Sequence, residues 1–206
     1  MMEDTLHAAL APWDTFYVIT GSAAAALTGL QFVVTTLMND ARPPGAQTRD
    51  AASATLGTFG TPTVVHFSAA LLLSAMLSAP WRTMELELLR GSVLAAGMMG
   101  LLYGLLVLLR ARSQRAYQPV LEDWVWHVVL PLVAYGGLAA GALTLGSDIS
   151  DALSVIAATT LLLLFIGIHN AWDTVAYITV ERLERDAPAA ATSSGPSARK
   201  ARRRRR

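Results

Sequence analysis

The sequence predicts an all-α fold, a polytopic membrane protein built as a five-transmembrane-helix bundle with the N-terminus outside and the C-terminus cytoplasmic. Three observations predict it. The composition is too apolar for a water-soluble domain, five apolar stretches have spanning length, and Lys and Arg fall on alternate connections between them.

Hydrophobic residues make up 53% of the chain and charged residues 15%, against about 25% charged in an ordinary soluble domain. Mean hydropathy is +0.44. The formal net charge of +1 hides a segregation, because Arg199, Lys200 and Arg202 to Arg206 crowd the last positions and leave the remainder acidic. There is no cysteine, which excludes disulfides, thiolate metal sites and cysteine nucleophiles.

A helix needs about 20 apolar residues to cross the hydrocarbon core, since it rises 1.5 Å per residue. The first stretch, about 15–38, follows Glu3, Asp4 and Asp14 with no Lys or Arg before it. It lacks the basic start of a signal peptide and is expected to be retained. The second, about 55–79, lies beyond the turn-forming run from Asn39 to Gly45, and the third, about 88–109, beyond Trp81 to Arg90. Leu86, Leu88 and Leu89 alternate there with Glu85 and Glu87, a pattern suited to the membrane surface. The fourth, about 125–146, ends at Gly146-Ser147-Asp148, and the fifth is about 152–178. Together they form a transmembrane domain over 1–186. A polybasic tail over 187–206, rich in Ala, Ser, Pro and Gly before its arginines, is expected to be disordered.

Basic residues resist translocation and collect on the cytoplasmic side. Arg42 and Arg49 occupy the first connection, Arg110, Arg112 and Arg115 the third, and Arg182, Arg185 and the tail follow the fifth stretch. Only Arg82 and Arg90 oppose them. Trp13 and Trp81 then fall at the outer interface, and Trp124, Trp126 and Trp172 at the inner one, where indoles prefer to lie. The tail is expected to meet anionic lipid headgroups. No folded nucleic-acid-binding module accompanies it, so no specific nucleic acid is expected.

Small residues recur four apart: Gly21, Ala25 and Gly29 in the first stretch, Gly100 and Gly104 in the third, Gly137 and Gly141 in the fourth. Such stripes let helix backbones approach in lipid. They serve either packing within one bundle or a homo-oligomer, and a small bundle can do both.

Polar side chains inside hydrocarbon face an interior, a cavity or another subunit. In the predicted orientation Gln31, Tyr103 and Asp173 lie on the order of 10 Å or less from the inner helix ends, and His66 and His169 roughly 15 Å. The inner half therefore carries a polar layer. His169, Asn170 and Asp173 share one helix face at spacings of four and three residues. An imidazole beside a carboxylate meets the requirement of a proton relay. Alternatively Asp173 orients His169 or pairs with Arg182 or Arg185. Pro62 and Pro131 cannot donate to the carbonyls of Thr58 and His127, leaving an acceptor near His66 and near His127. His127 itself reads as interfacial, and His7 carries no signal.

His66 and His169 are also the weak candidates for a metal or an axially ligated b-type haem, though no CxxCH accompanies them. No resident cofactor is expected. No phosphate-binding loop, HExxH or GxSxG is present, so the chain is expected not to be an enzyme.

The strings Ala25-Ala26-Leu27-Thr28-Gly29-Leu30-Gln31-Phe32-Val33 and Asn170-Ala171-Trp172-Asp173 resemble those of uncharacterised small multi-pass bacterial membrane proteins. The resemblance implies a bacterial inner-membrane location and no activity. The expectation is an oligomer or small proton or ion conduit whose inner-half cavity is lined by Gln31, His66, Tyr103, His169, Asn170 and Asp173. Lipid and further copies of the chain would be its partners. A haem- or metal-binding redox component and a structural scaffold or accessory subunit are the alternatives.

Overall fold

A computed structural model describes residues 3–40, 61–81, 86–113 and 124–186, and they are almost wholly helical. The polybasic tail and most of the first and third connections lie outside the described residues. The chain divides into two compact units, Met1–Trp172 and Asp173–Arg206.

The first unit begins with a helix the hydropathy pattern did not announce. α1 spans Glu3–Leu10, and a 3₁₀ turn at Ala11–Trp13 leads into α2, Asp14–Asp40. Pro12 sits at the start of that turn, where its missing N–H costs no helical bond. The Asp14 amide donates back to the Ala11 carbonyl. Glu3, Asp4, Pro12 and Asp14 interrupt the apolar run, yet Leu6 and Leu10 stand four apart on one face and are buried. The apolar segment accordingly runs from Leu6 to Leu37.

α3 spans Thr61–Leu77, α4 Leu86–Ser113, α5 Leu130–Thr144 and α6 Ile149–Asp186. The turn into α6 is the one that Gly146-Ser147-Asp148 foretells: an Asp148 carboxylate oxygen accepts from the Asp151 amide at 3.1 Å, the side-chain cap an orphan helix-start donor requires. Trp81 closes the other described turn, its indole N–H donating to the Met76 carbonyl.

Among the described residues four helical segments are long and apolar enough to cross a membrane: Leu6–Leu37, Leu86–Leu109, Val125–Thr144 and Ile149–Ala176. Large apolar side chains point outward from them, among them Ile19, Phe32 and Val33 on α2 and Met98, Met99 and Leu102 on α4. Such continuous apolar surface suits lipid and not water. The chain thus has the make-up of a multi-pass integral membrane protein. α3 is shorter, apolar from Pro62 to Leu77, and the residues preceding Thr61 lie outside the described set. Pro62 stands in its first described turn, and the Thr58 carbonyl is not described.

Within the first unit α2 packs on α3 and α4 on α5. Small residues set these approaches. A Cβ on Gly97 would lie 2.8 Å from the Ala139 amide nitrogen and 3.0 Å from the Tyr135 carbonyl, so backbone meets backbone between α4 and α5. On α5, Gly137 and Gly141 face Thr159 and Ile156 of α6, and Gly167 of α6 faces Phe67 of α3. Hydroxyls along the helices turn inward on their own backbone, as where Thr160 donates to the Ile156 carbonyl at 2.7 Å and Thr28 to the Ala24 carbonyl at 2.8 Å. That satisfies them without water.

In the second unit the described residues complete α6 to Asp186. Asp173 there is exposed, and the Thr179 hydroxyl donates to the Val175 carbonyl at 2.8 Å.

Candidate functional site: a histidine and tyrosine cluster

Proline shapes the segment that organises the site. Residues Val125–Val129 form a π-helical turn ahead of α5, with the Leu130 amide donating five residues back to the Val125 carbonyl. Pro131 follows at once and has no N–H to give. Widened turns of this kind are where a helix takes up a missing donor, and they recur at functional sites. Consecutive side chains on the turn then reach different neighbours.

Trp126 stacks on His169 of α6, ring centroids 3.8 Å apart and planes 17° from parallel. His127, half-buried, lies within electrostatic reach of His66.

His66 of α3 and Tyr135 of α5 are each only 2% exposed. Imidazole Nδ1 and the phenolic oxygen are 3.0 Å apart, a good hydrogen bond whose donor is set by the imidazole tautomer. The rings lie tilted at 38° with centroids 5.8 Å apart. Gly100 of α4 makes room for this pair, since any Cβ there would run into the Tyr135 ring. Tyr103, one turn along α4, lies within electrostatic reach of Tyr135. Four helical elements thus contribute titratable rings to one region: His66, Tyr103, His127 and Tyr135.

The expected polar residues are distributed as follows. His66 and Tyr103 converge on Tyr135, while His169 turns to Trp126, so the rings of His66 and His169 take different partners. Gln31 is 3% exposed, and its amide nitrogen has no hydrogen-bond partner among the described residues. Asn170 is likewise buried at 3%. Asp173 belongs to the second unit. Among the described residues no three His, Cys, Asp or Glu side chains gather into a group that could hold a metal ion.

The small residues are distributed just as unevenly. Gly21 abuts Ser74, Gly100 the Tyr135 ring, Gly104 Leu132, Gly137 Thr159 and Gly141 Ile156. Ala25 and Gly29 are exposed, and nothing lies within 4 Å of a Cβ built on Gly29.

Tyr135 is the residue that sequence reasoning missed. It reads as one more aromatic in an apolar run. Its signal is that a buried phenol inside a spanning segment needs a partner for its hydroxyl, and His66 at a similar depth is one. Chemically, an imidazole that both donates and accepts, joined to a phenol that does the same, can hold a proton and pass it between helices. No family model, no curated protein and no solved structure matches the chain.

Proposed function

We propose that the protein is a non-enzymatic conduit for protons or small ions in a bacterial inner membrane, with the histidine and tyrosine cluster as its protonatable centre. The observation that carries this reading is the hydrogen bond between His66 and Tyr135, which joins α3 to α5 through two side chains able to exchange a proton. His127 and Tyr103 lie near enough to act electrostatically on His66 and Tyr135, and the Trp126 indole holds His169 through ring stacking. A proton enters the cluster on an imidazole, passes through the phenolic oxygen as tautomers exchange, and leaves on a neighbouring ring. α3 belongs to a fifth span, a reading supported by the apolar run of the sequence over about 55–79. The alternation of arginines supports the N-out and C-in orientation, with the cluster in the inner half of the bilayer and the basic tail against anionic headgroups. Copies of the chain associate through small-residue faces.

The test is proton flux into liposomes carrying the purified protein, driven by a potassium diffusion potential and read by a trapped pH dye. Flux above protein-free vesicles is expected for the wild type, falling to near that baseline in His66→Ala and in Tyr135→Phe, with Gly29→Ala unaffected. Wild-type flux no higher than that of protein-free vesicles would overturn the conduit and leave a structural bundle, and equal flux above that baseline in all four samples would overturn the cluster as its centre. A Soret band in the purified protein would instead favour the haem alternative.

A further inference from the structure

The C-terminal half of α3, beyond His66, carries a second feature. Between α2 and α3 opens a groove of about 250 Å³ whose lining includes Tyr17, Ser22 and Ala25 on one side and Leu71, Ser74 and Ser78 on the other. Its floor exists because Gly21 has no side chain: a Cβ there would stand 2.9 Å from Ser74 Cβ. Two hydroxyls in its wall are unsatisfied. Tyr17 and Ser74 are 1% and 2% exposed, and neither side-chain oxygen has a hydrogen-bond partner among the described residues. Leaving a buried hydroxyl unpaired is costly, and both residues line the groove, so an acceptor that enters it is the partner a small side-chain rotation would supply. Ser22 and Ser78 stand exposed on the same groove.

The polarity of the lining is graded along the helix axes. Trp13 precedes α2 and Trp81 follows α3, and indoles mark the level of the headgroups. Tyr17 lies one turn below Trp13, about 6 Å by helical rise, and Ser78 closes the α3 end beside Trp81. Deeper, the lining turns to Ala25 and Leu71, roughly 18 Å below Trp13 on α2 and roughly 10 Å below Ser78 on α3. Hydroxyl donors at the level of the ester groups and an apolar trough beneath them match a glycerophospholipid. At about 250 Å³ the groove is smaller than a whole lipid molecule. It takes part of a molecule whose remainder stays in the bilayer.

We infer that this groove binds one glycerophospholipid, its two ester carbonyls accepting hydrogen bonds from Ser22, Ser78 and Ser74 while the acyl chain lies over Ala25, Ala75 and Leu71. Ser22 and Ser78 are open to the carbonyls already, and Ser74 reaches one by turning about its single side-chain torsion. The site requires that the chain span a membrane and is independent of which end faces the cytoplasm and of proton conduction.

Native mass spectrometry of the full-length protein in a maltoside detergent tests it, with dioleoyl phosphatidylcholine as the probe because a zwitterionic headgroup gives the basic tail little to attract. A one-to-one adduct is expected, weakened about tenfold, one hydrogen bond's worth, for the dialkyl ether analogue that lacks ester carbonyls. Ser74→Ala is expected to weaken the diacyl adduct comparably. Ala25→Leu and Ala75→Leu, both at exposed positions that tolerate bulk, fill the trough and abolish it, whereas Ala95→Leu on α4 leaves it intact. Equal adducts in Ala25→Leu and wild type, or equal affinity for ester and ether lipid, would overturn the assignment. So would a dimer that Ala25→Leu dissociates without any lipid in the spectrum, since the groove would then belong to a second copy.

Discussion

The interface between α4 and α5 and the outward face of α2 are written with the same residues and do different things. Both carry glycine and alanine at helical spacing. On α4, Gly97 lets two backbones touch and Gly100 seats the Tyr135 ring. On α2, Gly21 meets Ser74, but one and two turns further along Ala25 and Gly29 face outward with no neighbour on Gly29. A small residue in a membrane helix therefore states only that something could come close. Whether anything does depends on the partner helix, and α5 supplies a phenol where α3 supplies small hydroxyls.

Substituting the tight interface gives the largest expected effect. In Gly97→Ala the new methyl meets main-chain atoms of Tyr135 and Ala139 that cannot rotate away, so the helices must separate. The expected loss is about 2–3 kcal/mol, toward the upper end of overpacking costs, measured as reversible unfolding in mixed micelles on raising the dodecyl sulfate fraction. A loss below about 0.5 kcal/mol, the range of surface substitutions, would mean that α4 and α5 are less closely joined than this geometry requires.

Tyr135→Phe comes next and sharpens the comparison, because it keeps the ring in the Gly100 seat and removes only the hydroxyl. His66 then loses its partner at 3.0 Å. About 1–2 kcal/mol of stability is expected to go with it, the cost of stranding a buried polar group. His66→Ala in the same background should add less than it does alone, which a double-mutant cycle reads directly. Additive losses would show that the two side chains act separately.

The apolar runs were legible because spanning length leaves a continuous mark on a sequence, and four of the helical segments have that length. α1 was not, since Pro12 and three acidic residues break the run that Leu6 and Leu10 continue on one helix face. The Pro131 disturbance was legible as a missing donor, but its form, a π turn that presents Trp126 and His127 to different helices, depends on what those helices offer. His66 stood out as a polar residue in hydrocarbon. Tyr135, its partner 69 residues away, did not, because the pairing belongs to tertiary structure and a phenol passes for core. Orientation is different again: the arginine pattern is the ground for expecting one, and helix packing does not test it.

The smallest expected effect has the opposite sign and bears on the outward face of α2. Gly29 is helical, exposed and clear of every neighbour within 4 Å. An alanine there meets nothing and removes backbone freedom from the unfolded chain, so Gly29→Ala is expected to stabilise the monomer by roughly 0.5–1 kcal/mol. The same substitution on a helix buried against a second copy would instead push the two backbones apart. Mixed-micelle unfolding at low and high protein concentration separates these cases. A stabilisation independent of concentration places Gly29 against lipid, while a destabilisation that appears only at high concentration places another chain on it and turns the open half of the small-residue stripe into an interface.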